Sequence, residues 1–262
     1  MKISIVTANY NGGRWLARCM DSVLNQELAP GDELEYILID GASTDDSLQI
    51  AQARRGRLAA LISEKDHGPA DALNKGFALA TGDLLGWLNA DDVYEPGALA
   101  RALAAAKARP QAAFFFGKCR IVDEAGRDIR SFPTLVKNAC MPFSSRFLIQ
   151  CINYVSQPAS WFRCAALAAA GGLRLDFKAA WDYDLTLRLW RQGGGVRIPG
   201  PPLAAFQWHP GSISGTHYEQ QFAEEWRAAV ADAGRFSPQA LVHWFVRHGI
   251  VLCYRLMNRP RA

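Results

Sequence analysis

The chain has 262 residues, 50% of them apolar and 21% charged, which supplies one large core and excludes a disordered polymer. A net charge of +4, with no basic patch carrying interleaved aromatics before the C-terminal segment, gives no mark of a nucleic-acid binder. Six cysteines without a CxxC pair exclude a zinc knuckle or a disulfide framework and leave buried free thiols as the expectation.

The short apolar stretch from Ile3 to Val6 is too brief for a secretory signal or a membrane span, so a cytoplasmic location is expected. Lys2 to Thr7 reads as a strand. Gly13 to Asn25 reads as a helix, with Trp15, Leu16, Met20, Val23 and Leu24 at helical spacing. A second strand, Glu35 to Ile39, ends at Asp40, and Ser43 or Thr44 caps a helix through Ala53. Leu58 to Ser63 is a third strand. The helix from Pro69 to Ala80 opens on proline, and Thr81-Gly82 closes it before a fourth strand, Leu84 to Leu88. Alternating apolar runs and helical patterns predict parallel βαβ units, an α/β doubly wound layer with its strand ends along one edge.

After Pro110 the pattern is less regular. Ala112 to Val122 and Asp128 to Phe132 read as two strands joined by the turn Asp123 to Arg127, and Asn153 to Phe162 as another strand. Cys164 to Ala170 is a short helix, and Trp181 to Arg191 is a helix stopped by Gly193-Gly194-Gly195. From Tyr218 the chain is helical, with a break near Gly234 to Pro238. The expected organisation is one catalytic unit over 1–215, in halves 1–110 and 111–215, with a helical tail over 216–262.

The chemistry concentrates at strand ends. Asp91 and Asp92 follow a buried strand, and two adjacent carboxylates beside an apolar core call for a cation. Hard oxygen ligands beyond the carboxyl ends of an α/β sheet suit Mg²⁺ or Mn²⁺ holding a substrate phosphate. Thr7 with Asn9, Tyr10 and Asn11, and Asp40 with Ser43 and Asp45, stand at the ends of the first two strands, so that three polar strand ends make a nucleotide crevice. The charged loop Ser63 to Gly68 precedes a helix whose first N–H groups can accept an anion.

In order, Val6-Thr7-Ala8-Asn9-Tyr10-Asn11, Ile39-Asp40-Gly41-Ala42-Ser43-Thr44-Asp45, the Asp66 to Gly76 segment and Leu88-Asn89-Ala90-Asp91-Asp92 resemble the family 2 glycosyltransferases of bacterial surface polysaccharides. The resemblance spans roughly residues 1 to 215. It implies the GT-A fold, a Rossmann-like and mostly parallel sheet with a nucleotide-sugar half and an acceptor half. It also implies a nucleoside diphosphate sugar donor, with uridine the expected base, and inversion at the transferred carbon. Thr7 and Asp40 would contact base and ribose, Asp66 and Asn74 would line the nucleotide pocket, and Asp91 with Asp92 would fill the DxD role, Asp92 touching the metal directly. Gly41 and Leu73 stand where many relatives carry an acid and an arginine.

Two segments of the second half, Gln157 to Arg163 and Trp181 to Leu189, resemble the family's acceptor side, and Asp182 aligns with its base. A carboxylate opening a helix is stabilised as the anion, ready to take a proton from a sugar hydroxyl. Asp184 is the rival base, and a helix-capping Asp182 paired with Arg188 is the structural alternative. His209, in a loop with Gly211 and Ser212, resembles a family segment that covers the diphosphate or joins the metal shell. The acceptor expected is a glycan or lipid-linked glycan. Ala240 to Met257 is apolar and aromatic and, with Arg247, Arg255, Arg259 and Arg261 in and beyond it, suits peripheral contact with an anionic inner membrane face. A sugar-phosphate nucleotidyltransferase is the enzymatic rival, although the loop after the first strand is poor in glycine for that role. A non-catalytic glycan-binding protein of the same fold is the other.

Overall fold

The computed structural model of the chain describes residues 1–257, with side chains at all of these except 213, 214 and 253–257. Chain order is β1 (Lys2–Asn9), α1 (Gly13–Leu24), β2 (Glu33–Asp40), α2 (Ser47–Gln52), β3 (Ala60–Ser63), α3 (Pro69–Leu79), β4 (Leu84–Trp87), β5 (Val93–Tyr94) and α4 (Ala98–Ala108). The second half adds β6 (Phe114–Phe116), β7 (Cys119–Val122), α5 (Ser131–Cys140), α6 (Arg146–Cys151), β8 (Ser160–Arg163), α7 (Cys164–Ala170), α8 (Trp181–Trp190), β9 (Gly195–Arg197) and β10 (Ala204–Gln207). Three helices follow, α9 (Ile213–Thr216), α10 (Tyr218–Ala233) and α11 (Pro238–Met257).

Seven strands form the main sheet in the order β3-β2-β1-β4-β8-β6-β9, and β5-β10-β7 form a small second sheet. β1, β2, β3 and β4 run parallel, β8 is antiparallel to both β4 and β6, and β9 is parallel to β6. This is the expected α/β layer. Successive residues of a strand point to opposite faces, so the parallel strands feed two cores. Ile3 and Ile5 of β1 pack with Leu16 and Met20 of α1 and Leu99 and Leu103 of α4. Val6 packs on the other side with Leu73 of α3, Phe162 of β8 and Leu185 and Leu189 of α8. The chain runs outward from β1 through β2 to β3, then α3 returns it to β4 on the other side of β1. Strand order therefore reverses between β1 and β4, and the crevice beyond their carboxyl ends is where such sheets bind ligands.

The second half departs from the sequence expectation in three places. The apolar run 112–122 is not one strand, because at Gly117 the backbone passes so close to Leu203 that a Cβ would lie 2.3 Å from it, and the chain leaves the main sheet for the small one. The turn at 123–127 forms, but its return arm is only a bridge between Val122 and Asp128, and residues from Ser131 are helical. Only the end of 153–162 is a strand, since a helical turn at Gln157–Ala159 precedes β8. In the tail, α10 packs on α8 and α11 on α6 and α10. Arg259 and Arg261 lie outside the described residues, as does the side chain of Arg255. Among the described cysteines, all free, Cys19, Cys119 and Cys151 are buried, and Cys140 and Cys164 are half-buried. No described helix is long and apolar enough to cross a membrane.

Candidate active site

The loops after β1 and β2 are tied together by polar side chains. Asn9 Nδ2 donates to Asp40 Oδ1 at 2.8 Å, and the hydroxyls of Ser43 and Ser63 donate to the same carboxylate at 2.5 and 2.7 Å. Burial works to lift the Asp40 pKa, but these donors, with the Ser43 N–H, hold it below the usual carboxylate range. Asn11, at φ 51°, accepts the Thr44 N–H through Oδ1 at 2.8 Å, and its own N–H donates to the Ser43 hydroxyl at 2.8 Å. Asp45 accepts the Gly13 N–H at the start of α1. Asp40 is thus the hub of the crevice floor, and its oxygens already have partners.

Beside this floor Tyr10 is 69% exposed. A Cβ on Gly41 would lie 2.6 Å from Asp66 Oδ2 and 3.4 Å from the Tyr10 ring. Asp66 from the loop before α3 therefore fills the space that a side chain at 41 would take. Its other oxygen accepts the Gly68 N–H at 2.8 Å.

Two residues expected in the crevice have other work. Thr7 shares the face of Ile3 and Ile5, is fully buried, and its hydroxyl lies 3.0 Å from the Tyr36 hydroxyl beneath α1. Asn74 spends both ends of its amide on the backbone of Leu173, at 2.8 and 2.9 Å, fastening α3 to the loop after α7. Neither side chain is hydrogen-bonded to Asn9, Asp40 or Asp66 among the described residues.

The two aspartates after β4 differ in burial and partners, and the one expected to touch the metal directly is the more enclosed. Asp92 is fully buried; one oxygen accepts the Gln207 N–H of β10 at 2.9 Å and the other the Asn89 amide at 3.2 Å. Burial, reinforced by the Asp91 charge, pushes its carboxyl well up. Both Asp92 oxygens are thus engaged inside the protein. Asp91 faces outward, and its Oδ2 lies 3.1 Å from His209 Nε2. His209 is fixed from behind by Trp15, whose ring stacks on it with centroids 4.4 Å apart, and from the chain by Ser212, which donates to its carbonyl. Among the described residues no three His, Cys, Asp or Glu side chains form a metal cage. One accessible carboxylate and one imidazole nevertheless fit an Mg²⁺ or Mn²⁺ ion that takes its remaining ligands from a diphosphate and water.

Asn89 carries the arrangement across to the second half. Its amide donates also to Gln157 Oε1 at 3.2 Å, while Gln157 Nε2 donates to the Trp87 carbonyl at 2.7 Å. Gln157 lines a cavity with Trp87, Asn153, Thr186 and Asp182. Asp182 opens α8, yet the helix end does not lower its pKa overall: burial raises it, and the N–H groups of Tyr183 and Asp182 only pull part of the way back. A raised carboxylate is the stronger base. The proposed capping pair with Arg188 is absent, because Arg188 belongs to Asp184 at 2.8 Å, with Arg174 3.7 Å from the same carboxylate. The sequence does not mark Trp15, Asn89, Gln157 or Asn153 as site residues; Asn89 and Gln157 lie inside the resembling segments, whereas Trp15 and Asn153 carry no signal.

The model of the family described as "Glycosyl transferase family 2" matches residues 4–167. A glycosyltransferase of Mycobacterium tuberculosis, Rv1514c, is 33% identical over 71% of this chain and 68% of its own length. The PGL/p-HBAD biosynthesis glycosyltransferase of Mycobacterium bovis is 38% identical over 84% of this chain and 81% of its own. The O-antigen biosynthesis protein RfbC of Myxococcus xanthus is 34% identical over 71% of this chain, which spans only 14% of that longer protein. Among solved structures, S. aureus TarS 1-349 in complex with UDP-GlcNAc has a TM-score of 0.74 at 20% identity, covering 95% of this chain and 72% of that one. The mannosyltransferase PcManGT from Pyrobaculum calidifontis, in complex with GDP-Man and Mn²⁺, has a TM-score of 0.65 at 15% identity over 99% of this chain and 81% of its own. With the family model matched over more than half its length, the chain belongs to glycosyl transferase family 2.

Proposed function

We propose that the chain moves one sugar from a uridine diphosphate sugar to a hydroxyl of a growing glycan or glycolipid, with inversion and with the help of a divalent ion. The observation that carries this reading is the meeting of Asp91 and His209 at the β1/β4 switch point, linked through Asn89 and Gln157 to the cavity of Asp182. Asp91 and His209 would hold Mg²⁺ or Mn²⁺, whose chemistry is to neutralise charge on the leaving diphosphate. Tyr10 offers an exposed ring to the base, and Asp66 stands beside it with an oxygen in the space over Gly41. Asp40 and Asn9 keep the floor rigid. Asp182 accepts the proton of the acceptor hydroxyl as that oxygen attacks, and a single displacement from the side opposite the diphosphate inverts the carbon. No nucleophile of the protein enters the reaction.

The names of the relatives, in O-antigen and PGL/p-HBAD biosynthesis, support an envelope glycan or glycolipid as acceptor. A cytoplasmic enzyme resting on the inner membrane face is consistent with such an acceptor. A thermal-shift screen of nucleoside diphosphates with and without Mn²⁺ tests the donor assignment. UDP with Mn²⁺ at 100 times its dissociation constant stabilises by about 2.7 kcal/mol. An equal response to GDP, or no dependence on Mn²⁺, would refute the base or the ion.

A further inference from the structure

Glu225 of α10 is hydrogen-bonded to Asn153, which lines the cavity of Asp182. Glu225 is 5% exposed. The other acids of that helix face have strong partners: Glu224 accepts the backbone N–H groups of Lys178, Ala179 and Ala180 just before α8, and Asp232 pairs with Arg146 and Arg191. Glu225 makes no ion pair among the described residues. One of its oxygens, Oε1, instead accepts two side-chain amides, Asn153 Nδ2 at 3.2 Å and Gln221 Nε2 at 3.3 Å. Asn153 lines the same cavity as Asp182. A buried carboxyl with only amide donors, within reach of the Asp182 charge, is poorly placed to ionise while Asp182 is charged.

We propose that Glu225 is a positioning residue for the acceptor base: with Asn153 between them, Glu225 and Asp182 form a coupled pair that carries one negative charge, on Asp182, and one proton, on Glu225. The pairing deepens the assignment of Asp182 as base and rests on it for its catalytic meaning. Burial above all, with the Asp182 charge added, lifts Glu225 to about 7 against the Asn153 hydrogen bond and the Lys137 charge. The groups that face it are few. Asp182 and the Tyr183 phenol come from α8, and Lys137 from α5, its Nζ 3.4 Å from the Ser156 hydroxyl. From α11 comes His243, which bonds near Tyr183 and is held down to about 4, hence neutral. Arg146 of α6 is taken by Asp232, and His217 before α10 bonds to Thr216.

The consequence is a base whose strength depends on its neighbour's proton. Below neutrality Glu225 is uncharged and Asp182 acts alone; above it, the new charge on Glu225 makes Asp182 harder to leave ionised and so a stronger proton acceptor. Trp181 precedes the base on α8, and the second carboxyl comes from α10, a different element.

Carbon-13 NMR of the glutamate carboxyls in the full chain tests the pairing, with Glu225→Gln identifying the resonance. Glu225 should titrate near 7 in the wild type and about one pH unit lower in Asp182→Asn, because the adjacent charge is gone. Titration in the ordinary glutamate range, or at the same pH in both proteins, overturns the pair. That readout is independent of turnover, so it stands apart from the base assignment, which fails if Asp182→Asn retains normal transfer. In kinetics, wild-type kcat at saturating substrates should rise through an inflection near pH 7 that Glu225→Gln lacks. The same inflection in both would also overturn the proposal.

Discussion

His209 Nε2 and Asp91 Oδ2, 118 residues apart in the chain, lie 3.1 Å from each other at the mouth of the sheet's switch point. Among the described residues neither has another side-chain hydrogen bond, and His209 is otherwise held by the Trp15 stack and by its own backbone. If they share an ion, Asp91→Asn and His209→Ala should each weaken Mn²⁺-dependent UDP binding at least about tenfold, or 1.4 kcal/mol. Asp92→Asn should cost much less, because the Asp92 oxygens face Gln207 and Asn89 in the interior. Calorimetry with and without Mn²⁺ checks all three. Loss of metal dependence in Asp92→Asn alone would reverse the assignment.

Asp182 and Asp184 open the same helix and predict opposite phenotypes. Asp182→Asn keeps the shape but removes a proton acceptor, so kcat should fall by about a hundredfold to ten-thousandfold with donor affinity little changed. Asp184→Asn leaves Arg188 without its buried partner, which costs about 3 kcal/mol of stability. Its melting temperature should drop while transfer by the folded fraction persists. A stable, inactive Asp184→Asn beside an active Asp182→Asn would transfer the role of base to Asp184.

The first four strands and their helices are legible in the sequence because each βαβ unit is local and each strand fills two cores by itself. The boundaries of the small strands in the second half are not. The apolar run 112–122 reads as one strand, and its division into β6 and β7 depends on pairing with β8 and β9 on one side of Gly117 and with β10 on the other, all remote in sequence. The site follows the same division. Asn9 and Asp40 are visible as strand ends and Asp66 through the family resemblance, whereas the choice between adjacent Asp91 and Asp92 depends on which direction the backbone turns after β4. Thr7 is instructive in another way: residues 3, 5 and 7 share one face of β1, so strand periodicity already points it beneath α1, against the role carried over by family resemblance. Glu225 gave no signal because a helical glutamate reads as solvated until α10 is folded onto α8.

Glu35 predicts how acid unfolds the chain. Its buried carboxylate joins β2 to β1 and to the turn before β4, accepting from Ser4 Oγ at 2.6 Å and from Thr81 N at 2.7 Å, with Lys2 Nζ 2.7 Å away. Burial would raise its pKa, but these partners lower it from 4.5 to about 2. Between those values the unfolded chain binds more protons than the folded one. The stabilisation is therefore complete above pH 4.5 and is lost as pH falls through 2, and it amounts to about 3 kcal/mol. Urea melts should show Glu35→Gln less stable than wild type at pH 7, with the gap closing progressively below pH 4.5. A gap that stays constant to pH 2 would mean that the effect is packing, not charge.

The last prediction concerns α11. Ala240 and His243 face the protein, while Leu241, Phe245 and Leu252 are 59%, 61% and 58% exposed at helical spacing, with Trp244 beside them. From Arg235 to the end the sequence has five arginines and no aspartate or glutamate. An exposed apolar face on a segment whose only formal charges are positive complements an anionic lipid surface and would be repelled by a second copy of the same segment. Wild-type protein should float with vesicles containing phosphatidylglycerol, less with neutral vesicles and less at high salt, since juxtamembrane basic residues contribute about 1 kcal/mol each and are screened. Replacing Leu241, Phe245 and Leu252 by glutamate should abolish flotation without unfolding the chain, because none of the three is in the core. This is a sharper test than deleting the helix, which would also remove the buried contacts of Ala240 and His243. Equal flotation of wild type and variant would exclude membrane docking through this face. A dimer in sedimentation that the same substitutions dissociate would assign the face to self-association, with the arginines directed elsewhere.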